Sequence, residues 1–351
     1  MATLDEEAPS TSAAAPSKSA TINDVARVAG VAASTVSRAL SIPGRVKVST
    51  REHIERVASE LNYVPNGNAR ALISGRTGTV AVLVTDITAP FFFGIIRGTQ
   101  QQLKAASYSQ LLVDTEESGE LEVSMLTKLR ESCDGAILTA PRLSDAQLSE
   151  LARKMPIVTI NRISKGVPSV VIDSAVGVDQ AIEHLVSLGH ASILYIAGPQ
   201  GSFSNERRWR AVRASARRLG VQAGRTAAFA PKITSGAAAA DALLNSGATA
   251  AIAFNDLLAI GMLVRLRERN VSVPGEVSIV GCDDTFGADF CNPPLTTLTG
   301  PIEEAGRVAV SMLLSRLSPL GPQAPRRSVL LPTHLTVRDS TGRAPIRAST
   351  S

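Results

Sequence analysis

The chain has 351 residues, a formal net charge of +5 and a hydrophobic fraction of 44%. This length exceeds that of one ordinary domain and favours a small module joined to a larger α/β body. No apolar run is long enough to span a bilayer, and three cysteines without CxxC spacing argue against a disulfide framework or a zinc site. We therefore expect a soluble, cytoplasmic protein with no membrane contact.

The N-terminal segment, residues 1–20, is acidic at its start and then rich in Ala, Ser and Pro. It lacks the basic start and apolar core of a secretory signal. It also holds too few large apolar groups to offset the entropy of ordering the chain. We predict a disordered tail.

The next twenty residues, TINDVARVAGVAASTVSRAL, have the pattern of two helices joined by a tight turn. Ala26 is small enough for the helices to cross closely, Gly30 accepts the positive φ of a turn, and Val36 returns to the same apolar core. The second helix then turns a polar row outward: Ser34, Thr35, Ser37 and Arg38. Hydroxyls and an arginine suit base edges and phosphates in a DNA major groove.

Helix caps follow from residue spacing. Thr21 and Asp24 are spaced as a capping box for the first helix, and Ser49 and Glu52 as one for a third helix, TREHIERVASEL. Ala32 precedes the second helix and offers no side-chain cap, which we expect to cost about 1 kcal/mol.

The positive charge is concentrated near the N-terminus. Residues 21–76 hold eight Lys or Arg and four Asp or Glu, so this segment carries four of the five excess positive charges. Such concentration is the electrostatic footprint expected of phosphate contacts. A solvated helix surface is the alternative interpretation.

The segment NYVPNGNARALISGRTG follows the third helix. Pro65 ends that helix, and Asn66 then caps a short segment, NARALIS. This segment is too short to form a stable helix alone.

From Thr79 onward, short branched runs alternate with helical patterns. Eight runs are predicted parallel strands: TVAVLVTDI, QLLVDTE, GAILTA, IVTINR, SVVIDS, ILYIAG, AIAFND and VSIVGCDD. Their near-continuous Val, Ile and Leu content suits strands covered by helices on both faces. Several end in a polar residue, namely Asp86, Asn161, Asp173, Asn255 and Asp283. Because ligands bind beyond the carboxyl ends of such strands, we expect these residues to converge on a cleft.

Blocks along the chain carry a family resemblance. They are DVARVAGVAASTVSRAL, TREHIERVASELNYVPNGNARAL, CDGAIL, LVSLGH, FNDLLAIG, VPGEVSIVGCDD, NPPLTTL and HLTVRDS. In this order they resemble the LacI/GalR family of bacterial transcription regulators, over roughly residues 21–340. The resemblance implies an N-terminal all-α helix-turn-helix headpiece and an α/β body of two lobes with parallel sheets, like type I periplasmic binding proteins.

The composition of the tails and the family resemblance together indicate the domain boundaries. We expect a tail over 1–20, a DNA-binding domain over 21–66, a hinge helix or linker over 67–77, an effector-binding and dimerisation domain over 78–340, and a disordered tail over 341–351. Within the body, the chain is expected to cross between lobes near Ser174, Pro301 and Leu331.

The resemblance also implies DNA-contacting residues. Ala33 offers only a methyl contact, which would favour a thymine methyl. Leu72 matches a leucine wedge that opens a base step from the minor groove, and a linker with an incidental leucine is the alternative. The predicted DNA-binding set is Thr21, Ala33, Ser34, Thr35, Ser37, Arg38, Arg45, Asn66, Ala69, Arg70 and Leu72.

The effector candidates carried over are Phe91, Phe92, Asn161, Arg208, Asn255 and Asp283. Aromatic rings stack on a flat or apolar ligand face, and the polar groups supply donors and acceptors. We therefore predict that the effector is a sugar or sugar derivative. Alternatives place the phenylalanines in the core and Arg208 in a structural salt bridge. Ala89 replaces an asparagine that is common in the family, which removes one polar contact. Pro231 stands where relatives often have an aromatic platform, so either Phe229 supplies the platform or the pocket lacks one.

The predicted function is that of a homodimer bound to double-stranded DNA at a pseudo-palindromic operator. A small-molecule effector in the cleft would control operator affinity. The alternatives are a nucleobase-like corepressor or a phosphocarrier protein partner. Four scattered histidines near no nucleophile motif, and no glycine-rich phosphate loop, predict that the protein is not an enzyme and uses no cofactor or metal. The end of the chain has no leucine heptads, which favours a dimer over a tetramer.

Overall fold

The computed structural model describes residues 20–41, 44–64, 75–318 and 328–346. The chain divides into two compact units, Met1–Thr77 and Gly78–Ser351. No helix in these described ranges is both long enough and apolar enough to cross a membrane.

The described residues of the first unit form three helices: α1 (Ile22–Ala29), α2 (Ala33–Ser41) and α3 (Val48–Glu60). Val25, Val36 and Ile54, one from each helix, are fully buried at its centre. Gly30 ends α1 at φ 67°, the left-handed conformation that a tight turn between two helices requires. This is the predicted helix-turn-helix.

One predicted capping box is present and the other is not. The Thr21 side chain accepts from the Asp24 backbone N–H, and the Asp24 side chain accepts from the Thr21 backbone N–H. The prediction for Ser49 and Glu52 is wrong. Helix α3 begins earlier, at Val48, after Lys47, which makes no side-chain cap. Ser49 therefore lies inside the first turn, where it cannot act as the cap.

The first lobe of the second unit is built on a six-stranded sheet. Its elements in chain order are β1 (Thr79–Val84), α4 (Phe91–Ala105), β2 (Ser109–Asp114), α5 (Gly119–Leu129), β3 (Gly135–Thr139), α6 (Asp145–Lys154), β4 (Ile157–Ile160), β5 (Ser169–Asp173), and later α11 (Ile302–Leu317) and β11 (Ser328–Pro332). The strand order is β11-β5-β4-β3-β1-β2, and every pair is parallel.

The second lobe repeats this plan. It contains α7 (Ala175–Ser187), β6 (Ser192–Ile196), α8 (Phe203–Leu219), β7 (Gln222–Arg225), a 3₁₀ turn (Ile233–Ser235), α9 (Gly236–Ser246), β8 (Ala250–Ala253), α10 (Asp256–Glu268), β9 (Ser278–Cys282), β10 (Thr296–Thr299) and β12 (His334–Thr336). The strand order is β12-β10-β9-β8-β6-β7, parallel except for the β10–β12 pair.

Both sheets are covered by helices on both faces. In the first lobe, α4 and α11 cover one face and α5 and α6 the other. In the second lobe, α9 and α10 face α7 and α8 across the sheet. This double burial explains why the strands read as continuous apolar runs.

The chain passes between the lobes at three places. It does so between β5 and α7 at Ser174, between β10 and α11 at Pro301, and between β11 and β12 at Thr333. The Thr333 backbone N–H and hydroxyl both donate to the carbonyl of Asp173, each at 3.1 Å. Two of the three crossing segments are thus tied together at the junction of the lobes.

All eight predicted strands are present, and the four strands β7, β10, β11 and β12 were not predicted. The predicted start of the C-terminal tail, residue 341, is also too early. The backbone N–H of Gly342 donates to the Ser278 hydroxyl, and that of Ala344 to the carbonyl of Leu188. These hydrogen bonds fix the chain against the second lobe beyond Ser340.

Candidate functional site

Helix α2 presents the predicted polar row of the first unit. Ser34 and Arg38 are exposed, whereas Thr35 and Ser37 are half-buried. The Arg38 guanidinium lies back along its own helix, donating to the Ser34 carbonyl at 3.0 Å and to the Ser34 hydroxyl at 3.3 Å. The side chain of Ala33 is half-buried at the start of the helix.

The predicted Thr21 contact has a structural role, since its hydroxyl donates to Asp24 at 2.7 Å within the capping box. The exposed cations of the first unit differ in their pairing. Arg38, Arg45 and Lys47 form no ion pair with any residue that the structure describes, whereas Arg27 pairs with Asp24. Exposed, unpaired cations are available for phosphate contacts. The predicted contacts Asn66, Ala69, Arg70 and Leu72 lie outside the described residues.

The second unit contains a cleft between its lobes, at the carboxyl ends of the strands. It encloses about 570 Å³ of atom-free space, part of it open to solvent. All six predicted effector residues line it: Phe91, Phe92, Asn161, Arg208, Asn255 and Asp283. The first three come from the first lobe and the last three from the second, although they are spread over almost 200 positions of the chain.

Arg208 and Asp283 form a buried ion pair in the wall of the cleft. Arg208 is 8% exposed; Nη2 donates to Asp283 Oδ1 at 2.5 Å and Nη1 donates to the Phe254 carbonyl. Its guanidinium also lies over the Phe254 ring, 5.0 Å from the centroid. Burial lowers the pKa of Arg208, but the Asp283 carboxylate and the other neighbours together raise it by more, so the net shift is upward. Arg208 therefore forms the structural salt bridge that was the alternative prediction, and it also lines the cleft.

Both predicted asparagines use part of their amide for structure. Asn255 caps α10, because its Oδ1 accepts from the Leu258 N–H at 3.0 Å, and its Nδ2 donates to the Pro231 carbonyl at 3.1 Å. Asn161, at φ 55°, accepts through Oδ1 from the Ile172 N–H at 2.9 Å. That bond leaves Nδ2 of Asn161 as a donor toward the cleft.

The aromatic residues divide between cleft and core. Phe92 is 7% exposed and belongs to the first-lobe core, whereas Phe91 is half-buried and meets it edge to face at 5.2 Å. Phe254 also lines the cleft and was not predicted. Phe229 lies in an adjoining cavity, and Trp209 stacks on Tyr195 instead of lining either space.

A second ion pair lines the cleft on the first lobe and was not predicted. Arg142 Nε donates to Glu117 Oε2 at 2.6 Å. The Arg142 backbone N–H donates to both carboxylate oxygens of Glu122, which is 2% exposed and whose burial raises its pKa to about 7. Glu117 and Arg142 each lie three residues beyond the end of a strand. That position in the sequence is the signal that could have identified them.

The described residues contain no group of three or more His, Cys, Asp and Glu that could hold a metal ion. The structure thus combines a helix-turn-helix unit carrying exposed cations with a two-lobed body that encloses a polar and aromatic cleft. Proteins of this class read DNA with one part and bind a small molecule with the other.

Comparisons with known proteins agree with this class. Residues 21–66 match the family described as bacterial regulatory proteins, lacI family, and residues 182–341 match the periplasmic binding protein-like domain. The HTH-type transcriptional regulator DegA of Bacillus subtilis (strain 168) is 32% identical over 331 residues, covering 92% of this chain and 98% of DegA. The chain belongs to the LacI family of bacterial transcriptional regulators.

Solved structures are similar over the same length. The lac repressor dimer bound to operator and the anti-inducer ONPF has a TM-score of 0.82 at 28% identity, covering 93% of this chain and 100% of that one. The transcriptional regulator CelR in complex with cellobiose has a TM-score of 0.68 at 30% identity, covering 92% and 99%. The predicted headpiece and two-lobed body with parallel sheets are confirmed.

Proposed function

We propose that the protein is a repressor that binds a pseudo-palindromic operator as a homodimer and changes its operator affinity when a sugar or sugar derivative occupies the cleft. The observation that carries this proposal is the convergence of six predicted residues from both lobes on one cleft, in a chain that begins with a helix-turn-helix. The relatives support it, because one was solved with an operator and an anti-inducer and another with cellobiose.

The mechanism follows from where the ligand contacts lie. Phe91 and Asn161 belong to the first lobe, and Arg208 and Asn255 to the second, so one ligand touches both. A bound ligand therefore stabilises one arrangement of the lobes over others. Its differential affinity for these arrangements is the free energy that shifts the operator affinity.

The DNA contacts are proposed residue by residue. On α2, Ser34, Thr35, Ser37 and Arg38 would contact bases and phosphates, with Ala33 at a thymine methyl, and Arg45 would contact the backbone. Thr21 would contact a phosphate from the start of α1. Asn66, Ala69, Arg70 and Leu72 would form the minor-groove hinge.

For the homodimer, the second lobe offers an exposed aromatic pair. Phe286 is 76% exposed and Phe290 is 64% exposed, with their rings edge to face at 5.0 Å. Exposed apolar patches mark interaction sites, and aromatic residues, phenylalanine included, are enriched in protein interfaces. We therefore place this pair in the dimer interface.

In vitro selection from random DNA by the full-length protein tests the DNA-binding half of the proposal. We expect enrichment of an inverted repeat, and loss of that enrichment in Arg38→Ala. The control is Arg153→Ala, which removes an exposed arginine from the other unit. Enrichment of no sequence at moderate salt contradicts the proposal, because non-specific phosphate attraction alone would then account for any binding.

Thermal-shift screening of the full-length protein with sugars, polyols and nucleobases tests the effector half. A specific ligand stabilises by mass action, and Asn161→Asp should weaken that stabilisation while keeping the acceptor for the Ile172 N–H. Nucleobases are included because Phe91 offers a ring in the cleft. A ligand that stabilises the wild type and Asn161→Asp equally would not occupy the proposed site.

A further inference from the structure

We infer that the cleft selects an uncharged, hydroxyl-rich effector and excludes the phosphate ester of the same compound. This inference rests on the proposed function, since it concerns the effector bound in the same cleft. Three observations carry it: the pairing of the cleft arginines, the unpaired carboxylates beside them, and the neutral polar groups that remain free.

Each arginine of the cleft is already neutralised by a carboxylate. Arg142 pairs with Glu117 on the first lobe, and Arg208 pairs with Asp283 on the second. The two pairs are largely buried, since the four side chains are 9–30% exposed. A phosphate that took over either guanidinium as its own counter-ion would leave the paired carboxylate desolvated and unpaired, which is strongly unfavourable.

The space around these pairs is negatively charged. An adjoining cavity of about 1070 Å³ shares Thr85, Asp86, Glu117 and Pro231 with the cleft. Together the two spaces are lined by five carboxylates and three cations. Apart from the two ion pairs, the lining contains three carboxylates, Asp86, Asp114 and Glu116, and one cation, Lys232. None of the four forms an ion pair with a described residue, so the lining has a net excess of two carboxylates.

The neutral polar groups of the cleft, in contrast, are uncommitted. The hydroxyls of Thr85 and Ser204 and the Nδ2 donor of Asn161 line the cleft, and no described residue hydrogen-bonds them. Hydroxyls both donate and accept, so this set matches a polyol without requiring a charge. The two arginines of the cleft are paired within the protein, whereas these uncharged groups are left for the ligand.

The magnitude of the exclusion follows from like-charge repulsion. A phosphate dianion placed among a net excess of two carboxylates is disfavoured by more than 1.4 kcal/mol at protein-surface dielectric, which corresponds to about tenfold in affinity. We therefore expect a sugar phosphate to bind at least about tenfold more weakly than its parent sugar.

Inorganic phosphate is a direct probe of this arrangement in the full-length protein. Calorimetric titration at constant ionic strength compares the wild type with Glu117→Gln, which frees Arg142, and with Glu150→Gln, which frees the exposed Lys154 and changes the net charge equally. Because the DNA-binding unit is unchanged in all three proteins, any phosphate binding there cancels in the comparison.

We expect saturable phosphate binding to appear in Glu117→Gln and to be absent from the cleft in the wild type and in Glu150→Gln. Two results overturn the inference. One is phosphate binding by the wild type as tight as that by Glu117→Gln. The other is no gain in Glu117→Gln, because the ion pair would then not be what excludes the anion.

Matched ligand pairs distinguish failure of this inference from failure of the proposed function. The pairs are glucose with glucose 6-phosphate and ribose with ribose 5-phosphate, each tested for stabilisation and for operator affinity. A phosphate ester that binds more tightly than its parent and changes operator affinity overturns the charge selectivity and leaves the regulator function intact. A neutral sugar that binds the cleft without changing operator affinity supports the selectivity and contradicts the regulator function.

Discussion

Removing one partner of the Arg208–Asp283 pair should destabilise the second lobe strongly, whereas removing both should not. In Asp283→Asn, the buried guanidinium loses its counter-ion, and breaking a buried pair in this way costs 3–5 kcal/mol. The lower end, about 3 kcal/mol, is expected here, because Arg208 keeps the Phe254 carbonyl and the asparagine oxygen still accepts. The φ of 108° at Asp283 adds nothing to this cost, since asparagine tolerates positive φ as well as aspartate does.

The double variant Arg208→Met/Asp283→Asn removes both charges. It leaves mainly the Phe254 carbonyl without its donor, which should lower the free energy of unfolding by about 1–3 kcal/mol. With each single change costing about 3 kcal/mol, the coupling free energy between the two positions is expected to be about 3 kcal/mol or more. This large non-additivity is what a buried, charged pair predicts.

Urea unfolding followed by tryptophan fluorescence measures this coupling. Trp209 is the only tryptophan of the chain and packs on Tyr195 in the second lobe, so its signal reports the lobe that contains the pair. Arg218→Gln is the control, because Arg218 is about half exposed on the same helix and its ion pairs are worth less than about 1 kcal/mol. Single-variant effects that add within about 0.5 kcal/mol would refute the reasoning.

Four further outcomes are expected. Burial raises the pKa of Asp256 to about 8, so the folded state keeps a proton that the unfolded chain loses. The free energy of unfolding should therefore fall as pH rises from about 4 to 8. In Asp256→Asn, the urea midpoint should fall less over this pH range than in the wild type. A slope identical to that of the wild type would show that Asp256 is ionised throughout. Thr21→Ala removes the capping box and should cost about 1 kcal/mol, seen as faster hydrogen exchange of the α1 amides; unchanged exchange would contradict the role of this cap. Phe286→Ser combined with Phe290→Ser should convert the dimer to a monomer in sedimentation experiments, and an intact dimer would remove this pair from the interface. Gly98→Ala places a Cβ 2.1 Å from a backbone carbonyl of α11 and should destabilise the first lobe by about 1–3 kcal/mol in urea unfolding, and wild-type stability would show that the two helices separate freely.

Local pattern was enough to predict the body. The strands buried on both faces read as apolar runs, and polar residues at their carboxyl ends mark the cleft, which is how Asn161, Asn255 and Asp283 could be identified. The Thr21 cap was predictable for the same reason, since its partner lies three residues away. Each of these features depends on residues that are close in sequence or share one period.

Pairings between residues distant in sequence were not predictable, even where the position of each residue after a strand pointed to the cleft. Glu117 and Arg142 are 25 residues apart, and their contact exists because two loops meet at one edge of the sheet. Strands β10 and β12 are short and contain one apolar residue each, so they carry no alternating or continuous apolar pattern. The cap expected at Ser49 failed because helix α3 begins at Val48, two residues earlier than the local pattern indicates.

The most direct test of the account is the operator dissociation constant of the full-length protein, measured at fixed salt with and without a ligand shown by thermal shift to occupy the cleft. Occupancy should change this constant by about fivefold or more, the lower end of typical allosteric coupling, and the change should be reduced in Asn161→Asp. An operator affinity that stays the same while the cleft is saturated would contradict the account.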